Sequence, residues 1–177
     1  SFESIWNKNA NPTSTDFAIS AICSILKNGP ALKKNPYDLD IRSNLLKAAT
    51  VAGLAFSNTT TAIAHSISYP LTIHYGLPHG VASSISLLPL LEINGKWIKE
   101  PLDCICKNNN LTYDELKATI KNIPQGVIPY TLDEWGIPED QLPKLAEESF
   151  TKGRMDNNVV DLTTDDVLGI LKELYSE

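Results

Sequence analysis

Ala64-His65-Ser66-Ile67-Ser68-Tyr69-Pro70-Leu71-Thr72, followed by Leu77-Pro78-His79-Gly80-Val81-Ala82, is the stretch on which the reading of this 177-residue chain turns. It holds two of the three histidines, fourteen positions apart, each set among apolar and small residues. Pro70, Gly76 and Pro78 lie between them. Proline removes a backbone donor and clashes with the carbonyl four residues back, so the stretch predicts one helix ending near Tyr69 and another beginning near His79. Such a reversal can bring the two imidazoles together in a buried cleft. Two neutral imidazoles in a semi-apolar site suit a divalent first-row metal. A histidine on an apolar face is more often a hydrogen-bonded core residue than a ligand, and spacing alone leaves both readings open. The third, His74, falls in the predicted connection and reads as a surface residue.

Outward from this stretch the chain is helix after helix. Asn11-Pro12-Thr13-Ser14 is a turn and cap, and Phe17, Ile19, Ile22, Ile25 and Leu26 follow at helical spacing until Asn28-Gly29-Pro30 predicts a stop. Leu39, Leu45, Leu46, Ala49, Ala52 and Leu54 mark an alanine-rich, closely packed helix from about Asp38 to Ala55. The next helix is predicted from Asn58 to Tyr69; its threonine run, Thr59 to Thr61, has poor propensity, so tertiary packing must hold it. Past His79, the residues Val81, Ile85, Leu88, Leu90 and Leu91 predict a deeply buried helix, apolar nearly all round. Thr112-Tyr113-Asp114-Glu115 is a capping box, Gly136-Ile137-Pro138-Glu139-Asp140 a helix start, and Thr163-Thr164-Asp165-Asp166 the cap of a last helix. Gln125 to Tyr130 is the one short strand candidate, and Pro129, with Pro124 just before the segment, favours a loop. The predicted architecture is all-α, in one domain spanning residues 1–177.

Composition narrows the function classes. A net charge of -6 with no basic stripe argues against nucleic-acid binding. No apolar run approaches the roughly 20 residues that cross a bilayer, and Ser1 to Asn11 lacks the pattern of a signal peptide. Cys23, Cys104 and Cys106 have neither disulfide nor zinc spacing. They read as free thiols, small buried hydrophobes of a cytoplasmic protein.

Gly53-Leu54-Ala55-Phe56-Ser57-Asn58, then His65, then Pro78-His79-Gly80-Val81-Ala82 and Leu88-Pro89, resemble the iron-containing alcohol dehydrogenases. That family places a metal-binding histidine nine residues after the phenylalanine of G-x-A-F, and a second, in P-H-G, fourteen residues later. Phe56 to His65 and His65 to His79 keep both intervals. The resemblance covers most of the chain: Glu3-Ser4 resembles the end of a ligand-bearing helix, and Thr163 to Tyr175 the final helix. It implies a multi-helix C-terminal domain of the dehydroquinate synthase-like, iron-containing alcohol dehydrogenase fold. His65 and His79 would then be ligands of a divalent metal, Fe2+ first and Zn2+ second, in an NAD(P)H-dependent alcohol dehydrogenase or aldehyde reductase.

The family's other two ligands, an aspartate and a histidine four apart, would fall just before Ser1. No G-x-G-x-x-G is present, so the chain is expected to hold half of a four-ligand site and to have no turnover alone. The resemblance further implies Tyr69, one turn after His65, as a catalytic group beside the metal, and Phe56 as a wall of the substrate pocket. Each also reads as packing. The run Ile67-Ser68-Tyr69-Pro70-Leu71-Thr72 resembles the phosphonoacetaldehyde reductase branch. A phosphonate needs a cationic clamp, and of the two arginines, Arg42 and Arg154, the second precedes the final helix and is the better candidate. A surface role is its plain alternative. Expected partners are a small alcohol or aldehyde and a homodimer mate, with no nucleic acid and no membrane. Dehydroquinate synthase, a glycerol dehydrogenase-like domain and a non-catalytic helical remnant are the alternatives.

Overall fold

The computed structural model describes residues 1–176. In chain order the helices are α1 (Phe2–Ile5), α2 (Pro12–Lys34), α3 (Leu39–Ser57), α4 (Ile63–Tyr75), α5 (His79–Ala82), α6 (Leu87–Asn94), α7 (Lys99–Asn109), α8 (Tyr113–Asn122), α9 (Leu142–Glu148) and α10 (Thr164–Glu173). Four short 3-10 turns join them, and no strand occurs among the described residues. The all-α expectation therefore holds, Gln125 to Tyr130 included. The chain divides into two compact units, Ser1–Thr60 with Lys96–Ile123, and Thr61–Gly95 with Pro124 onward.

The first unit is organised on α2, which packs against α1, α3 and α7. Asn11 caps α2 by accepting from the Ser14 amide at 3.0 Å, while Ser14 returns the bond to the Asn11 amide. The expected stop at Asn28-Gly29-Pro30 is wrong: α2 runs through it to Lys34. Pro30 withholds the donor that Leu26 would use, a defect of about 3 kcal/mol in a helix interior. Burial of Ala18, Ala21, Ile22 and Leu26 outweighs it, since one fully buried leucine contributes about 1.5–3 kcal/mol.

α3 starts where predicted, with the Asp38 carboxylate accepting from the Ile41 amide at 3.0 Å. The side chains of Ser57 and Asn58 donate to the Leu54 carbonyl and close its end. Thr60 follows at φ 66, a conformation β-branched residues rarely take. Its amide bonds the Phe56 carbonyl at 2.7 Å, and the Asn7 side chain holds its own carbonyl. α8 has the predicted capping box, and hydrogen bonds from Thr112 hold the Glu115 carboxyl below the usual range. The three cysteines are free thiols; burial, with Asp103 nearby, pushes Cys106 up.

In the second unit α4 differs from its prediction at both ends. Residues 58–62 are not helical, so the helix begins at Ile63 rather than Asn58, and it continues through Pro70 to Tyr75. Seven of its thirteen residues are buried, Pro70 among them, and that packing holds the helix across the missing donor. Gly76, at φ 69, ends it in the left-handed conformation glycine tolerates. The single buried helix expected after His79 is two, α5 and α6, separated by turns at 83–86. Ser83 and Ser84 hydroxyls donate back to the His79 and Gly80 carbonyls, bonds of the kind that bend a helix and slightly destabilise it. α9 packs on α4 and α10, and α10 carries its predicted box between Thr163 and Asp166. Asn94 and Asn158, both fully buried, exchange amide hydrogen bonds at 3.3 and 2.9 Å.

Candidate metal centre

One face of the chain leading into α4 stays open. Thr61, His65 and Tyr69 are half-buried, while every residue between them is buried. Residues four apart share a helix face, so the two α4 side chains stand in line, with Thr61 two residues ahead of the helix. His79 comes to the same place by a local reversal. After Gly76 the fully buried Leu77 pins the turn, and Pro78, at φ -53 and ψ 135, redirects the backbone. α5 then begins at His79 itself, anchored below by the buried Val81 and Ala82.

The result is a histidine pair with ring centroids 5.2 Å apart and planes inclined at 57°. The separation can be tested against coordination chemistry. A ring nitrogen lies about 2.0–2.1 Å from a first-row metal, which puts the ring centre about 3.2 Å away, and two such rings at a tetrahedral angle stand about 5.2 Å apart. The observed separation equals that of two imidazoles sharing one divalent ion. His65 is half-buried but His79 is exposed, so the cleft is open rather than buried as expected, and an ion here keeps access to solvent and substrate. No group of three or more His, Cys, Asp or Glu side chains with metal-binding geometry occurs among the described residues.

His74 is not in a connection. It occupies the last turn of α4, exposed, with Nε2 2.6 Å from the Glu148 carboxylate. It takes no part in the pair.

Arg154 is brought to the line of α4 residues from 85 positions beyond Tyr69. Its guanidinium carbon lies 4.9 Å from the centre of the Tyr69 ring, within the range of a cation–π contact. Its Nη1 donates to the Thr61 hydroxyl at 2.8 Å. Arg154 is half-buried, with its guanidinium over the Tyr69 ring. Phe56 belongs to the first unit, at the end of α3, with 43% of its surface exposed.

Thr61 is the member of this arrangement that the sequence reading did not single out as a site residue. Its spacing, four before His65 and eight before Tyr69, was the available signal.

Known proteins resemble this chain in sequence and in fold. Alcohol dehydrogenase 4 of Saccharomyces cerevisiae is 27% identical over 172 residues, covering 94% of this chain and 45% of its own length. The 4-hydroxybutyrate dehydrogenase of Clostridium kluyveri is 26% identical over 187 residues, covering 98% and 49%. Among solved structures, sulfoacetaldehyde reductase from Bifidobacterium kashiwanohense, crystallised with NAD+, superposes with a TM-score of 0.87 at 26% identity, over 98% of this chain and 46% of that one. A 1,3-propanediol oxidoreductase shares the fold with a TM-score of 0.88 at 24% identity, over 98% and 48%. The chain thus spans about half the length of the relatives it matches. Residues 1–175 match the C-terminal model of the Fe-containing alcohol dehydrogenase family, and the chain belongs to that family as its helical C-terminal domain.

Proposed function

We propose that this chain is the metal-binding half of an NAD(P)H-dependent alcohol dehydrogenase that interconverts a small aldehyde and its alcohol, and that it works as one domain in the cytoplasm. The 5.2 Å histidine pair carries the reading. His65 and His79 would hold the ion, Fe2+ in preference to Zn2+. Bound there, the metal supplies Lewis-acid polarisation of the substrate oxygen while the nicotinamide supplies hydride.

The chain's own residues do the rest. Tyr69, one turn from His65 and braced by Arg154, offers a phenolic hydrogen bond to the substrate oxygen. Phe56 gives the substrate an apolar wall. Arg154 clamps an anionic substituent, since a guanidinium suits bidentate recognition of such groups. Two relatives bear the names of substrates with an anionic group, 4-hydroxybutyrate and sulfoacetaldehyde, and phosphonoacetaldehyde is the substrate proposed here. Exposed apolar side chains such as Leu39 and Leu46 support a homodimer.

Calorimetric titration of the chain with ferrous or zinc ion tests the metal site. Binding is expected in the wild type and lost in His79→Ala; equal binding by both sinks the assignment. In the enzyme that joins this chain to a dinucleotide-binding half, loss of metal without loss of hydride transfer rejects the mechanism.

A further inference from the structure

Arg154 has an unusual setting. It is half-buried, its guanidinium carbon lies over the Tyr69 ring, and it forms no ion pair with a carboxylate among the described residues. A guanidinium has five N–H donors, and one of them goes to Thr61. The side chain sits in a loop that is itself tied down. Gly153, at φ 80, donates its amide to the Asp156 carboxylate at 2.7 Å. The Asn157 side-chain amide reaches back to the Gly153 carbonyl at 2.7 Å and across to the Thr61 carbonyl at 2.9 Å. Asn158 is locked to Asn94 inside the unit.

Thr61 therefore receives this loop twice. Its carbonyl takes Asn157, which fixes where the loop lies, and its hydroxyl takes Arg154, which fixes how the guanidinium turns. The Tyr69 ring lies beneath that group, and the Thr61 Oγ1 takes one of its N–H donors. A long side chain with about 2 kcal/mol of rotamer entropy is thereby held in one pose, with its remaining donors available to one ligand. The ring beneath it belongs to the residue one turn after His65, so those donors are delivered beside the histidine pair.

We propose that Thr61 is the positioning residue for substrate charge: it aims Arg154 at the anionic tail of an aldehyde or alcohol whose oxygen end meets the ion on His65 and His79. The inference rests on the functional reading above and deepens it to a substrate class, small two- to four-carbon aldehydes carrying a phosphonate, sulfonate or carboxylate.

The test uses the zinc-loaded chain, with 2-hydroxyethylphosphonate as the charged probe and 1,3-propanediol as a neutral one, both followed by NMR titration. Wild type should bind the phosphonate at least tenfold more tightly. Thr61→Val keeps the shape and removes the acceptor, and should cut that preference about tenfold, as expected for a hydrogen bond to a charged group. Thr61→Ser should restore it, which a general loss of structure would not. An unchanged preference in Thr61→Val would mean that the phosphonate only ligates zinc, and that overturns the inference. So does an equal loss in the valine and serine variants. Failure of zinc to bind, with the phosphonate preference intact, instead overturns the metal reading and leaves the role of Thr61 standing.

Discussion

α3 and α4 follow one another in the chain, the first rich in alanine and leucine and the second in isoleucine, and they use those residues in opposite ways. α3 buries only Ala48 and Ala55 and leaves Leu39 80% and Leu46 71% exposed. α4 buries seven of its thirteen residues, with Ile63, Ile67 and Leu71 fully enclosed. The two starts differ as well. α3 has a side-chain cap in Asp38, whereas the residue before α4, Ala62, offers none. α3 draws its definition from local bonds, α4 from its surroundings. That explains why α4 tolerates a buried proline and why it carries the site: a helix enclosed on most sides can hold His65 and Tyr69 still.

Core truncation should separate the two most sharply. Ile67→Ala is expected to cost about 2–5 kcal/mol, while Leu46→Ala should stay within about 0.5 kcal/mol. Urea denaturation followed by circular dichroism measures both, and similar losses would break the contrast. Next in size is metal binding. His79→Ala should weaken zinc at least tenfold, about 1.4 kcal/mol, while Phe56→Ala on α3 should leave affinity for zinc where it was. Calorimetry on the two variants decides it.

The caps come third. Asp38→Ala should cost about 1 kcal/mol and loosen the first turn of α3, visible as faster amide exchange there and not in α4. Acid should act in the same sense on α10. Hydrogen bonds from Thr163 hold the Asp166 carboxyl below its usual range, so its contribution is present above the ordinary carboxylate value and disappears as pH falls through the depressed one. Asp166→Asn should flatten that part of the acid dependence, read from exchange rates in α10 between pH 5 and 2 (about the carboxylate range). The smallest effect expected is that of Tyr69→Phe, which removes the phenol but keeps the ring under Arg154. Its affinity for zinc should match wild type, and its aldehyde reduction in the complete enzyme should slow. A matching loss of metal would make Tyr69 part of the coordination and not a neighbour of it.

Much of this was legible in the residues. Thr112, Thr163 and Asp38 announce helix starts because capping depends on atoms within three positions of each other. The histidine intervals around Phe56, His65 and His79 pointed to a candidate site only through their resemblance to a known family, since spacing alone left a core role open. The apolar periodicity likewise gave an all-helical chain. The errors fell where a local rule met a packed environment. Gly29-Pro30 and Pro70 are breakers in an isolated peptide, but each sits in a helix whose neighbours hold it across one missing hydrogen bond. The run after His79 has the composition of one helix, yet turns at 83–86 divide it.

The sequence by itself determined the class of fold, most helix starts and the two imidazoles, because these follow from contacts spanning a turn or a short reversal. Tertiary structure alone decided that the cleft is open at His79, that α4 runs past its proline, and that Arg154 lies on Tyr69 with one N–H on Thr61. The last contact joins residues 93 positions apart, and nothing in periodicity, capping or spacing ties those positions together. Only the folding of the loop at 153–158 against the start of α4 does so, through hydrogen bonds whose donors and acceptors are common side-chain types anywhere in a chain.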